Sequence, residues 1–144
     1  MQVHQILRSK PKQSVITVKP ATSIADAARL LAERRIGAVI VSNDGKAPLG
    51  ILSERDIVRD LGRRGSVCLT DTVEALMTRN LVSCENSESA DSVLEKMTAG
   101  RFRHMPVMDG ADMIGIISIG DVVAARISEL AMEKDALANM IMGN

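Results

Sequence analysis

Two copies of one β-α-β-β-α unit, an α+β arrangement, are encoded in the 144 residues of this chain. Three observations lead there. First, VITVKPATSIADAARLLAERRI at 15–36 overlays LVSCENSESADSVLEKMTAGRF at 81–102 with a shift of 66 residues and no gap. One residue is lost in the following turn, after which the shift is 65, and Gly50 meets Gly115, Ser53 meets Ser118 and Asp56 meets Asp121. Second, each copy alternates short β-branched runs with stretches whose apolar residues recur every three or four positions, the periods of strand and helix. Third, both copies end in the same signature, PLGILSERDIV at 48–58 and MIGIISIGDVV at 113–123.

The elements follow in order. A lead-in VHQILRSK at 3–10 matches VEALMTRN at 73–80, with PKQS as an additional link in the first copy. VITV at 15–18 reads as a strand that Pro20 ends. Thr22 or Ser23 can cap a helix carrying Ile24, Ala27, Ala28 and Leu31 on one face. GAVIV at 37–41 is short and apolar enough for a buried strand, and SNDGKAP is a turn in which Asn43, Asp44 and Gly45 tolerate positive φ. LGIL at 49–52 returns as a strand, and Ser53 starts a helix that Gly62 can close. The second copy repeats this with MPVM, a DGAD turn, MIGII and a helix from Asp121. The resulting division is 1–70 for the first unit with its lead-in, 71–128 for the second, and 129–144 for a helical extension, all within one compact body.

Composition narrows the function classes. One Phe and no Trp or Tyr leave an aliphatic core. The formal net charge is zero, with 18 basic and 18 acidic residues interleaved, which disfavours electrostatic binding to nucleic acid or to an anionic membrane. With a single Phe, the chain lacks the exposed aromatics on which bases stack, which also disfavours single-stranded nucleic acid. No stretch has the roughly 18 apolar residues of a spanning helix, and MQVHQILRSKPK lacks the apolar segment of a secretion signal, so a cytoplasmic protein is expected. Cys68 and Cys84 stand apart without metal-ligand spacing and read as small apolar fillers or surface thiols. His104 has no nucleophile or second histidine at a useful spacing, which leaves phosphate contact or packing; no catalytic or metal site is expected.

The duplicated S-x-x-D carries the chemistry. A carboxylate one turn into a helix can accept hydrogen bonds from both hydroxyls of a ribose. The unpaired N–H groups at the same helix start favour phosphate, and the hydroxyls of Ser53 and Ser118 can add donors. Gly50 and Gly115 before them allow close packing or room for a ligand. S-x-x-D is also the pattern of a capping box, and Ser23-Ile24-Ala25-Asp26 has that form with no sign of a site. Its recurrence after glycine at matched places in both repeats favours ligand binding, with capping as a second role.

Taken in order, the lead-in, VITVKPATSIADA, RRIGAVIVSNDG, GILSERDIV, MTRNLVSC, RFRHMPVMDG and GIISIGDVV resemble the cystathionine-β-synthase (CBS) domain family, specifically the tandem pair called a Bateman module. The resemblance covers nearly the whole chain. It implies a pseudo-twofold module whose repeats pack sheet to sheet and leave two clefts that bind adenosine-containing ligands such as AMP, ADP, ATP or a dinucleotide such as NAD. It also implies that each cleft draws on the opposite repeat. The first would then hold Ser53, Arg55, Asp56, Ser83, Arg103 and His104, and the second Thr17, Gly37, Ala38, Ser118 and Asp121. Repeat two has Ile119-Gly120 where repeat one has Glu54-Arg55, so the Asp56 cleft is expected to be the more cationic and to prefer the charged phosphate end. Arg55, Arg101 and Arg103 also read as ordinary solvated charges.

Beyond the signature, VVAARISELAMEKDALANMI runs without glycine or proline to Gly143. Val123, Ile127, Leu130, Leu137 and Ile141 form a stripe broken by Lys134, the seam of a helix that packs on another helix. The stripe folds back on its own module or meets a second copy, and family members pair into flat discs, so a homodimer is expected. Three functions compete: a stand-alone regulatory module that binds an adenosine nucleotide and reports occupancy to an unknown effector protein, a structural dimerisation module with empty clefts, and an enzyme. The last has no nucleophile or cofactor fingerprint in its support.

Overall fold

The computed structural model describes residues 1–10 and 15–143, so the PKQS link lies outside the described residues. The elements are α1 (Val3–Ser9), β1 (Thr17–Val18), α2 (Ile24–Arg34), β2 (Ala38–Val41), β3 (Gly50–Ser53), α3 (Glu54–Arg64), a 3₁₀ turn (Gly65–Thr70), α4 (Val73–Leu76), β4 (Cys84–Glu85), α5 (Ala90–Gly100), β5 (His104–Asp109), β6 (Asp112–Ser118) and α6 (Ile119–Ile141). Two three-stranded sheets have identical topology: β1 runs parallel to β2 and β3 antiparallel, and β4, β5 and β6 repeat this. Each repeat is thus the expected β-α-β-β-α unit.

Local chemistry explains the boundaries. Ser23 Oγ accepts from Asp26 N at 3.1 Å and Ser89 Oγ from Ser92 N at 3.1 Å, so α2 and α5 begin at matched serines. They end at matched arginines, Arg35 at φ 53° and Arg101 at φ 56°, both left-handed without being glycine. Gly62 lies within α3; the helix closes at Gly65, whose φ of 73° suits glycine. VITV contributes only Thr17 and Val18 to the sheet. All four residues of β2 are buried, as a run of Ala, Val, Ile and Val requires. The β5–β6 hairpin turns within Gly110-Ala111, with Asp109 opposite Asp112. The β2–β3 loop is longer and is tied by Asp44, whose Oδ1 accepts from Lys46 N at 2.8 Å and Ala47 N at 2.9 Å. From that loop the Lys46 carbonyl accepts from Met113 N at 2.8 Å, joining the two repeats.

The lead-in helices are exchanged. Val3 and Ile6 of α1 pack in a core with Val93, Met97, Met105, Val107, Ile117 and Val122, all from the second repeat. Val73 of α4 and the following Met77 pack in the other core with Ile24, Leu31, Val39, Leu52 and Ile57, from the first. Backbone bonds hold each exchange: Val3 N to Glu88 O and Ala90 N to Met1 O on one side, Ile24 N to Asp71 O and Val73 N to Thr22 O on the other. Each hydrophobic core therefore contains sequence from both halves of the chain. Among the described residues, no helix is long and apolar enough to cross a membrane.

Candidate functional site

Strand β3 delivers its chain directly into α3, and β6 into α6, so Ser53 and Ser118 are the N-caps of those helices. Both form complete capping boxes. Asp56 Oδ2 accepts from Ser53 N at 2.9 Å and lies 3.0 Å from Ser53 Oγ, while Ser53 Oγ accepts from Asp56 N at 3.3 Å. In repeat two Asp121 Oδ2 accepts from Ser118 N at 2.8 Å and Ser118 Oγ from Asp121 N at 3.1 Å. Capping thus occupies one carboxylate oxygen of each aspartate. The other oxygen of Asp56 lies 3.7 Å from Arg59 Nη1.

Two cavities open between the repeats. The first, about 360 Å³, is lined from repeat one by Ser53, Glu54, Arg55, Asp56 and Arg59, and from repeat two by Arg101, Phe102, Arg103, His104 and Pro106, with Thr78, Asn80, Leu81 and Val82 closing one side. Four arginines and a histidine therefore surround one carboxylate signature. Its volume falls in the range of small-molecule sites.

The second cavity is larger, about 900 Å³, and includes Gly37, Ala38 and Ser118 together with Gly115, His104 and the apolar Leu7, Ile36, Ile114 and Ile116. It is not uncharged, as the strand residues alone predict. His4, Arg8 and Lys10 reach it from α1, and Arg35 from the left-handed end of α2. The exchange of lead-in helices causes this, because α1 lies against repeat two and presents its polar face to the cleft. Lys10 Nζ donates to Asp121 Oδ2 at 2.8 Å and to the Ile116 carbonyl at 3.0 Å. Burial pushes the Asp121 carboxyl up, but the Lys10 ammonium and the Ser118 bonds outweigh it and hold it below the ordinary carboxylate range.

Thr17, Ser83 and Asp121 are not among the cavity linings. Thr17 and Ser83 are equivalent under the 66-residue shift, and both are displaced by one position: Ile16 lines the second cavity and Val82 the first. Neighbours in an extended chain point to opposite faces, so a one-residue error in register moves both side chains away. Thr17 Oγ1 instead lies near the Gly45 turn, and the Ser83 carbonyl accepts from Lys96 Nζ at 3.3 Å. Asp121 is set back behind Lys10. Sequence reasoning missed Arg8, Lys10, Arg35 and Arg59; the match of Arg35 to Arg101 under the same shift was a signal that could have found one of them.

The two glycines have distinct neighbours. A Cβ at Gly50 would lie 2.5 Å from Met77 Sδ and 3.0 Å from the Thr78 carbonyl, so the residues that leave α4, with Thr78 bridged to Ile51, need that space. A Cβ at Gly115 would lie 3.1 Å from Leu7 of α1. Both glycines seat the exchanged lead-in segment.

The comparisons agree with this architecture. A CBS-domain containing protein from Agrobacterium tumefaciens shares 43% identity, with a TM-score of 0.83 over 88% of this chain and 99% of its own. The CBS domain pair of protein MJ0100, solved in complex with 5′-methylthioadenosine and S-adenosyl-L-methionine, is 28% identical, with a TM-score of 0.77 over 90% of this chain and 98% of its own. CBSX2, solved in complex with AMP, is 28% identical, with a TM-score of 0.72 over 88% and 96%. Among curated proteins, the CBS domain-containing protein CBSCBSPB2 of Arabidopsis thaliana is 29% identical over 88% of this chain, which spans only 24% of that protein's length. The model of the CBS domain matches twice, at residues 3–63 and 73–128, and the chain belongs to the CBS domain family as a tandem pair of its repeats.

Proposed function

We propose that this chain is a regulatory module that binds an adenosine nucleotide between its two repeats and passes occupancy to a separate partner. The observation that carries the reading is the first cavity, where Asp56 at the start of α3 stands opposite Arg101, Arg103 and His104 of the other repeat. One carboxylate for a ribose and several guanidinium groups for phosphate suit a nucleoside phosphate. MJ0100 and CBSX2, similar folds of the same family, were solved with adenosine compounds, which supports the class. Ser53, Arg55, Asp56, Arg103 and His104 are the ligand residues of the first site, and Gly37, Ala38 and Ser118 those of the second, with Asp121 acting through Lys10.

A ligand touching both repeats favours one relative packing of them, by at most its differential affinity for the two packings. The module acts as a homodimer through the exposed stripe of α6 and has no catalytic role. Its place is the cytoplasm. Heat denaturation of freshly purified protein, followed by mass detection of the supernatant, tests the reading directly. An adenosine compound at near-stoichiometric yield is the expected result. A clean supernatant together with no thermal stabilisation by AMP, ATP, NAD or S-adenosylmethionine would transfer the assignment to a dimerisation scaffold with empty clefts.

A further inference from the structure

His104 lines both inter-repeat cavities. It occupies that position because Gly37, opposite it, has no side chain: a Cβ there would lie 3.1 Å from His104 Cε1 and 3.2 Å from Nε2. The residue matched to His104 in repeat one is Ala38, so the centre of the module holds one imidazole rather than a symmetric pair. Four charged groups act on the ring: Glu54 from the start of α3, Asp121 from α6, Lys10 from the end of α1 and Arg103 beside it in the chain. Both repeats and the exchanged lead-in thus meet at a single titratable side chain.

We propose that His104 couples the two cavities: an anionic group bound in either one draws a proton onto the shared ring, and the resulting imidazolium strengthens anion binding in the other. The inference rests on the nucleotide reading of the clefts and adds to it a mechanism of communication between them. Burial pushes the imidazole down from its ordinary value, and Lys10 and Arg103 act in the same direction, while Glu54 and Asp121 oppose them. The free ring is therefore predominantly neutral at pH 7, and its neutral form contributes stability above about pH 6.5 that is lost as pH falls through the folded value. A bound phosphate reverses the balance by placing negative charge against the ring. One proton passes from solvent to an imidazole nitrogen, and no other bond changes. The coupling is reciprocal, because the same imidazolium forms part of both walls.

AMP is the probe. In wild-type protein the His104 ring resonances, assigned by their loss in His104→Gln, should move when AMP binds, and their titration midpoint should rise. The same movement should occur in Asp56→Ala, where the first cavity is impaired, and in Asp121→Ala, where the second is. Calorimetry in buffers of different ionisation enthalpy should show proton uptake at pH 7 in wild type beyond that in His104→Gln, and about a fivefold loss of affinity at the second binding step in that variant, the lower end of typical coupling. If AMP occupies both cavities but the ring responds to only one, the coupling is wrong and the nucleotide reading survives. If wild type binds none of AMP, ATP, NAD and S-adenosylmethionine, that reading fails and the coupling with it. Should either aspartate variant not fold, equal proton uptake by wild type and His104→Gln overturns the proposal.

Discussion

At the scale of single residues, the signature glycine and aspartate are under separate constraints. Gly50→Ala forces a methyl against the Thr78 carbonyl and the buried Met77 side chain. Overpacking of this kind costs about 1–3 kcal/mol, so the variant should melt several degrees below wild type in a calorimetric scan. Asp121 makes a prediction about pH. Its folded carboxyl sits below the ordinary value, so the stability it contributes is present above about pH 4, the unfolded value, and is lost as pH falls through the folded one. Acid unfolding followed by circular dichroism should be steeper for wild type than for Asp121→Asn below about pH 4, and Lys10→Met should flatten it in the same way. A Lys10→Met curve that superimposes on wild type would show that the ion pair does not set the titration. The capping role of Asp56 and Asp121 was legible in the four-residue spacing, whereas the Lys10 partner, 111 positions away from Asp121, was not.

At the scale of elements, α6 has two unlike faces. Val122 and Ala125 are buried against the second core, while Val123, Ile127, Leu130, Leu137 and Ile141 are exposed, Ile127 at 63%. The helix continues for about three turns past Glu129, where Arg126 pairs with Asp91 and Glu129 with the N-terminal ammonium, the last ion pairs along the helix among the described residues. An apolar stripe of this length in water is what a helix partner covers. Leu130→Glu with Leu137→Glu should convert the proposed dimer to monomer by light scattering without lowering the melting temperature of the repeat cores. An unchanged mass would place the dimer contact elsewhere or remove it. The stripe was legible from its three-and-four spacing, because helical periodicity is a local property. The end of α3 was not: Gly62 offered a stop, but the helix continued to Arg64 because Arg64 pairs with Asp60 and Asp71 and so ties its last turn to the following segment.

At the scale of the whole molecule, the sequence by itself determined the duplicated β-α-β-β-α units, the serine caps of α3 and α6, and the apolar faces, while the meeting of Asp56 with Arg103 and His104 across the repeats was implied by the resemblance to the CBS domain family. The units, caps and faces follow from period, cap chemistry or the internal match of two copies, information carried within about twenty residues or present in both halves of the chain. Only the tertiary structure decided which repeat each lead-in helix packs on. VHQILRSK and VEALMTRN have equivalent apolar patterns, so neither pattern alone selects between the two cores. That choice moved Arg8 and Lys10 into the second cavity and removed the charge asymmetry the strand residues had predicted. The one-position displacement of Thr17 and Ser83 has a different origin: β1 and β4 are strands of two residues, with Ser83 just before β4, too short for their own alternation to set which side chains face the cleft.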